Sequence, residues 1–159
     1  MNIIETQNLT KNYGDFTAVS HLNLHIRKGS VYGFLGPNGA GKSTTMNIMT
    51  GCLAASSGEV RIDGHDIFEE SGAAKRLLGY LPEQPPLYMD RTPREYLTFV
   101  GRAKGLSRAQ LAEQMERVMS VTQIGDVADR LIKNLSKGYR QRVGIAQALI
   151  GLSLIHISE

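Results

Sequence analysis

The sequence predicts an α/β fold, and three observations lead to that prediction. Short apolar segments with strand character fill the region up to about residue 81. One of them is a continuous apolar run that ends in a glycine-rich loop, which is typical of a strand buried in a parallel sheet. From residue 92 onward, apolar residues recur at helical spacing instead. The net charge of the 159-residue chain is only +3, so composition alone favours no nucleic-acid partner.

Four strands are predicted in the first region. Residues 21–26 alternate apolar and polar side chains, which is the pattern of a strand with one buried face. Residues 31–35 are the continuous apolar run and are predicted to be a strand buried on both faces. Two shorter strands are predicted at residues 59–63 and 77–81. The single cysteine, Cys52, excludes an internal disulfide and is expected to be a small buried residue.

Capping signals place the helices of the second region. Thr92, a following proline and Glu95 form a capping box that predicts a helix over residues 93–103. Ser107 begins a second capping box, and a last helix is predicted over residues 137–150. Four apolar residues at helical spacing after the second box are predicted to pack in the core: Leu111, Met115, Val118 and Met119.

A phosphate-binding loop is predicted directly after the apolar run. Its sequence fits G-x-x-x-x-G-K-[ST] and leads into a helix that begins near Lys42. Its glycines let backbone N–H groups point inward at phosphate oxygens. Lys42 can reach the β- and γ-phosphates, and the Ser43 hydroxyl suits Mg²⁺. The alternative is a glycine-rich turn with an incidental lysine. The predicted site comprises Gly36, Pro37, Asn38, Gly39, Ala40, Gly41, Lys42, Ser43 and Thr44.

A second loop resembles the signature of ATP-binding-cassette (ABC) proteins, Leu-Ser-Gly-Gly-Gln followed by basic residues. Leu135, Ser136 and Gly138 match that signature, whereas Lys137 and Tyr139 stand at its third and fifth positions. In the family, this loop meets the γ-phosphate of a nucleotide held by another subunit. Taken by itself, the segment would more often be an ordinary serine-capped helix start.

Two further positions resemble the family pattern. Tyr13 matches the aromatic residue that stacks on adenine; the alternative is a turn tyrosine that packs on a strand. Residues 81–84, Leu-Pro-Glu-Gln, resemble the glutamine loop, which contacts the metal and the membrane partner. Glu83 would occupy the glutamine position, with Gln84 beside it, and its carboxylate is a plausible Mg²⁺ ligand. The alternative is a solvated loop carboxylate.

The resemblance implies a P-loop NTPase (RecA-like) fold: a parallel-sheet core, an antiparallel β region and an inserted α-helical subdomain. Residues 1–92 would form the nucleotide-binding core, and residues 93–142 the helical subdomain with the signature. Residues 143–151 would begin the return to a core that is incomplete at the C-terminus. Residues 152–159 resemble a translated transposase-type sequencing adaptor, and we interpret them as an artefact.

The resemblance also implies a function. The parent protein is expected to be the cytoplasmic ATP-binding subunit of an ABC transporter, with ATP and Mg²⁺ as cofactors. Its expected partners are an ABC-2-type membrane permease at the inner face of the membrane and a second cassette, identical or paralogous, arranged head to tail. No nucleic-acid partner is expected, because no aromatic stacking platform is interleaved with the basic cluster of residues 130–142. The open alternative is a soluble ABC ATPase that acts on nucleic acid or the ribosome.

Catalysis is expected to require more than residues 1–151. The family pattern continues with a strand ending in Asp-Glu, which supplies a metal ligand and a general base, and later with a histidine. None of these follows residue 151 in this sequence. We therefore expect the chain to bind ATP without hydrolysing it efficiently. A binding-only cassette is the reading that remains if the chain is complete.

Overall fold

The computed structural model describes residues 1–151 and the backbone of residues 155–158. The chain divides into two compact units, Met1–Leu77 and Leu78–Glu159. These units divide the chain at a different place from the subdomain boundaries that the resemblance implies. Those boundaries remain a prediction.

An antiparallel sheet forms the body of the first unit. It contains four strands in the order β2-β1-β3-β4. The strands are β1 (Asn2–Tyr13), β2 (Phe16–Arg27), β3 (Ser57–Ile62) and β4 (His65–Asp66). Two helices accompany them, α1 (Lys42–Met49) and α2 (Ser71–Arg76). The buried apolar side chains of the unit are Ile3, Ile4, Leu9, Val19, Ile48, Met49, Val60, Ile62, Ile67 and Ala74.

Strand β1, one of the two inner strands of this sheet, is absent from the sequence prediction. Its pairing with β2 shifts register between Thr6 and Leu9, where Asn8 adopts a φ of 49°. A bulge of this kind breaks the alternation of apolar and polar residues by which a strand is recognised. The alternation predicted for residues 21–26 is confirmed within β2, and the predictions at 59–63 and 77–81 correspond to β3 and to a strand of the second unit.

The prediction of a buried strand at residues 31–35 is wrong. This segment is not part of either sheet, and Val31 and Leu35 are 103% and 93% exposed. Among the described residues no strand pairs with it, and an apolar run without a neighbour has no sheet to bury its side chains. The prediction for Cys52 is also wrong. Its side chain is exposed, because the residue lies in the turn after α1, where its N–H donates to the Asn47 carbonyl at 2.8 Å.

The second unit is mainly helical. Strand β5 (Leu78–Leu81) pairs in parallel with β6 (Ile155–Ser158), and this pair forms a two-stranded sheet. The helices are α3 (Pro93–Ala103), α4 (Arg108–Thr122) and α5 (Lys137–Leu149). Both predicted capping boxes are present, at the starts of α3 and α4. The predicted apolar stripe of α4 is buried in a core that contains Tyr96, Leu97, Leu111, Met115, Val118, Met119, Ile124, Val127, Ala128, Ile132, Leu135, Val143, Ala146 and Ile150.

Polar contacts fix the point where the chain leaves α5. The ammonium of Lys104 donates to the Ile150 carbonyl at 2.6 Å, and burial lowers the pKa of Lys104. The N–H of Gly151 donates to the Gln114 side chain at 2.7 Å, and Gly151 adopts a φ of 99°. The adaptor interpretation concerns residues 152–159, which lie outside the described residues except for the backbone of β6. Within the described part of the chain, no helix is both long and apolar enough to span a bilayer.

Candidate functional site

The predicted phosphate-binding loop leads into an uncapped helix start. Helix α1 begins at Lys42, and its N-cap, Gly41, provides no side chain for the free N–H groups. The first bond that closes a helical turn runs from the Thr45 N–H to the Gly41 carbonyl, at 2.8 Å. The amides of residues 42–44 precede that bond and therefore have no acceptor within the helix. Such a group of N–H donors, together with the positive end of the helix dipole, attracts an anion.

Glycine is required where the loop meets the helix. Gly39 and Gly41 have φ values of 84° and 81°, a region that other residues rarely adopt. A Cβ at Gly41 would also overlap the carbonyl oxygen of Ala18 and lie 3.2 Å from the Val19 side chain. The backbone of β2 thus packs directly against the loop, and only a residue without a side chain fits there.

The Lys42 side chain folds over the loop. Its ammonium donates to the carbonyls of Gly36 at 2.6 Å and Pro37 at 2.8 Å. These contacts place a positive charge on the phosphate-binding loop, which suits a polyphosphate. The Ser43 side chain is exposed at the same helix start. A hard hydroxyl oxygen in that position is a donor that Mg²⁺ accepts, so this part of the site fits a magnesium nucleotide.

Tyr13 lies on the hairpin that packs against the loop. It pairs with Phe16 at the end of β1, and the following strand supplies the Ala18 carbonyl that faces Gly41. Tyr13 as a whole residue is 49% exposed. The structure therefore brings the Tyr13 hairpin and the phosphate-binding loop together within the first unit.

The signature segment forms the start of α5 in the second unit. Ser136 is the N-cap, and its hydroxyl accepts the Tyr139 N–H at 3.3 Å. The Tyr139 hydroxyl in turn donates to the Asp126 carboxylate at 2.7 Å. This hydrogen bond raises the pKa of Tyr139 and outweighs the opposing effect of Arg142. The guanidinium of Arg142 lies 5.3 Å from the centre of the Tyr139 ring.

The sequence prediction missed Asp126. This residue belongs to a single 3₁₀ turn, Gly125–Val127, between α4 and α5. No motif or spacing in the sequence points to its contact with Tyr139, which is 13 residues away along the chain. Leu135 is buried, whereas Ser136, Lys137 and Gly138 are exposed. The small residues of the signature, Ser136 and Gly138, are therefore exposed, whereas the Tyr139 side chain is fixed by its hydrogen bond to Asp126.

Glu83 follows β5 and is exposed. Its carbonyl accepts the Gln141 side-chain amide at 3.3 Å, which joins the loop after β5 to α5. A groove of about 570 Å³ lies between these two segments. The loop that contains Glu83 and the helix that follows the signature are therefore in contact within the second unit.

Comparisons with known proteins agree with this description. The ABC transporter family model matches residues 19–157. The probable multidrug ABC transporter ATP-binding protein YbhF of Escherichia coli K12 is 36% identical over 93% of this chain and 26% of its own length. The bacitracin transport ATP-binding protein BcrA of Bacillus licheniformis is 35% identical over 93% of this chain and 47% of its own. The chain therefore spans about half, or less, of the length of these two relatives.

A solved structure of an ATP-binding subunit of an ABC transporter superposes with a TM-score of 0.91. The two chains are 26% identical, and the superposition covers 98% of this chain and 65% of the solved chain. The predicted P-loop NTPase fold is thereby confirmed. The family model covers most of the chain, and both loops that carry the resemblance stand at helix starts. The chain belongs to the ABC transporter family of ATP-binding proteins.

Proposed function

We propose that this chain binds Mg-ATP as the ATP-binding subunit of an ABC transporter, and that ATP hydrolysis drives transport. The observation that carries the proposal is the uncapped start of α1, where glycines with positive φ, the Lys42 ammonium and free amides meet. The names of YbhF and BcrA, which describe transport ATP-binding proteins, support the transport role.

The ATP site uses residues 36–44 for the phosphates and Tyr13 for the adenine ring. Backbone amides and Lys42 bind the phosphates, and the exposed Tyr13 face stacks on the base. Ser43 supplies a hydroxyl to Mg²⁺. When bound, the metal ion neutralises phosphate charge.

The signature segment serves a nucleotide held by a second cassette. Its small exposed residues and the amides at the start of α5 suit a γ-phosphate presented from another subunit. The arrangement is a head-to-tail dimer of identical or paralogous cassettes. The residues that take this role are Leu135, Ser136, Lys137, Gly138 and Tyr139.

The cassette works at the inner face of the cell membrane, attached to a permease of the ABC-2 type. The relatives named for multidrug and bacitracin transport support attachment to a transporter's permease. The sequences of residues 32–36 and 79–83 resemble those of cassettes that serve ABC-2-type exporters.

Calorimetric titration with ATP and Mg²⁺ tests the proposal. We expect saturable binding by the chain and a loss of at least about tenfold in affinity for Lys42→Ala, because a charge-assisted hydrogen bond is worth roughly 1.5–3 kcal/mol. Lys133→Ala is the matched control, since Lys133 is an exposed lysine of the second unit. Absence of binding by the unchanged chain, or equal binding by Lys42→Ala, would contradict the proposal.

A further inference from the structure

A lysine stands beside the tyrosine that we assign to the base. Lys11 and Tyr13 are two residues apart on β1, and the Lys11 ammonium lies over the Tyr13 ring, 5.2 Å from its centre. A cation at this distance from an aromatic face is attracted to it. The contact lies on one face of the ring, and Tyr13 as a whole residue is 49% exposed.

The Lys11 ammonium is also anchored by a hydrogen bond to the backbone of a neighbouring loop. It donates to the carbonyl of Ala54 at 2.8 Å, in the loop that follows α1. That loop is itself fixed to β1: the Ser56 N–H donates to the Thr10 carbonyl at 2.9 Å, and the Asn12 N–H donates to the Ser56 hydroxyl at 3.0 Å. A lysine side chain is ordinarily free to adopt many rotamers, so these contacts hold its charge in one place.

The consequence concerns the Tyr13 ring. Tyr13 is near the end of β1, where the following turn alone would leave its side chain free to rotate. A fixed cation on one face favours the rotamer that keeps the ring beside Lys11, while about half of the residue's surface stays exposed. Stacking of a base needs one ring face, already oriented, because ordering an exposed side chain on binding reduces affinity.

We infer that Lys11 is a positioning residue for the base of the nucleotide: anchored by Ala54, it holds Tyr13 as an oriented stacking surface. This inference rests on the proposed function, since it requires that a nucleotide binds. It gives Lys11 a role that acts through Tyr13 and is separate from the attraction of phosphate by Lys42.

Two probes separate these roles in calorimetric titrations of the whole chain with Mg²⁺ present. ATP carries phosphates and base, whereas inorganic tripolyphosphate carries phosphates alone. For Lys11→Met, which keeps an unbranched apolar stem, we expect ATP affinity to fall about two- to fivefold, as expected for an exposed cation–π contact. Tripolyphosphate affinity is expected to stay unchanged.

Three further variants sharpen the test. Lys11→Arg is expected to restore ATP affinity, because a guanidinium also stacks on an aromatic ring and donates hydrogen bonds. Tyr13→Leu weakens ATP binding, and in that background Lys11→Met is expected to have no further effect. Lys28→Met is the matched control, because Lys28 is an exposed lysine that directly follows β2 in the same unit.

Each contrary result has a distinct meaning. Equal ATP affinity for Lys11→Met and the unchanged chain overturns the inference, as does an equal loss with tripolyphosphate, which would make Lys11 a phosphate contact. An undiminished effect in the Tyr13→Leu background overturns it as well. If Lys11→Met does not fold, Lys11→Gln takes its place with the same expected results. If the unchanged chain binds neither probe, the proposed function itself has failed.

Discussion

The two loops that carry the family resemblance precede helices in opposite ways. At α1, Gly41 is the N-cap, its φ is 81°, and no side chain caps the helix. At α5, Ser136 caps the helix in the ordinary extended conformation, and Tyr139 is tied to Asp126. The first helix start has no side-chain acceptor for its amides, whereas the side chain of Ser136 satisfies one amide of the second.

This difference shows that glycine has two separate uses in the motifs. Gly41 is glycine because its backbone conformation and the Ala18 carbonyl leave no room for a Cβ. Gly138 lies within α5 with no positive φ, and a Cβ there would meet only the Ser136 hydroxyl at 3.9 Å. The fold of the chain therefore requires glycine at position 41. At position 138 the fold does not require glycine, and the space beside it is open.

Alanine substitutions give the largest expected contrast. Gly41→Ala combines backbone strain with an overlap and is expected to lower the free energy of unfolding by about 2–4 kcal/mol. Gly39→Ala has open space around it, so strain alone should cost about 1–2 kcal/mol. Urea unfolding of the two variants measures both effects. A Gly41→Ala variant as stable as the unchanged chain would contradict the geometry of the loop.

Gly138→Ala is the matched control from the other helix. We expect its stability to change by no more than about 0.5 kcal/mol, since alanine is favoured over glycine within helices. Nucleotide binding by an isolated chain should also remain unchanged, because this residue is assigned to a nucleotide on a second cassette. A large loss in either measurement would show that Gly138 is required within its own chain.

Serine substitutions should separate the same two helix starts. Ser136→Ala removes an N-cap, which is expected to lower stability by about 1 kcal/mol. Ser43→Ala removes an exposed hydroxyl and is expected to change stability by less than about 0.5 kcal/mol. ATP titrations with and without Mg²⁺ should show the reverse order, with the metal-dependent gain in affinity reduced only in Ser43→Ala. Equal behaviour of the two variants would remove the distinction.

The smallest expected effect is a pH dependence at α5. The hydrogen bond to Asp126 raises the pKa of Tyr139, so the folded state holds this proton more tightly than the unfolded state. The resulting stabilisation is present below the ordinary tyrosine pKa of about 10 and is lost as the pH rises through the folded value. Tyrosinate absorbance titrations of the chain and of Tyr139→Phe isolate this group. Asp126→Asn should lower the Tyr139 pKa, and an unchanged value would contradict the assigned contact.

Local signals in the sequence predicted local structure well. The capping boxes at Thr92 and Ser107 gave the starts of α3 and α4, because a cap involves residues only three positions apart. The glycine-rich loop was placed correctly before α1 for the same reason. These signals do not depend on what the rest of the chain does.

Features that depend on distant residues were not predicted. The apolar run at residues 31–35 reads as a strand, yet a strand forms only where a neighbour pairs with it, as β6 does with β5. The Asn8 bulge concealed β1, and Cys52 is exposed by the turn after α1. The contacts of Tyr139 with Asp126 and of Lys11 with Ala54 join segments whose separation carries no sequence pattern.

Backbone amide shifts during a titration with Mg-ATP would locate the nucleotide site within the chain. We expect the amides of residues 36–44 to shift in the unchanged chain. We expect smaller shifts, or none, for residues 135–139 under conditions in which the chain is monomeric. In Lys42→Ala the shifts of the first group should require much higher ATP concentrations. Shifts confined to residues 135–139, or no shift in residues 36–44 at saturating ATP, would contradict the assignment of the α1 start as the nucleotide site.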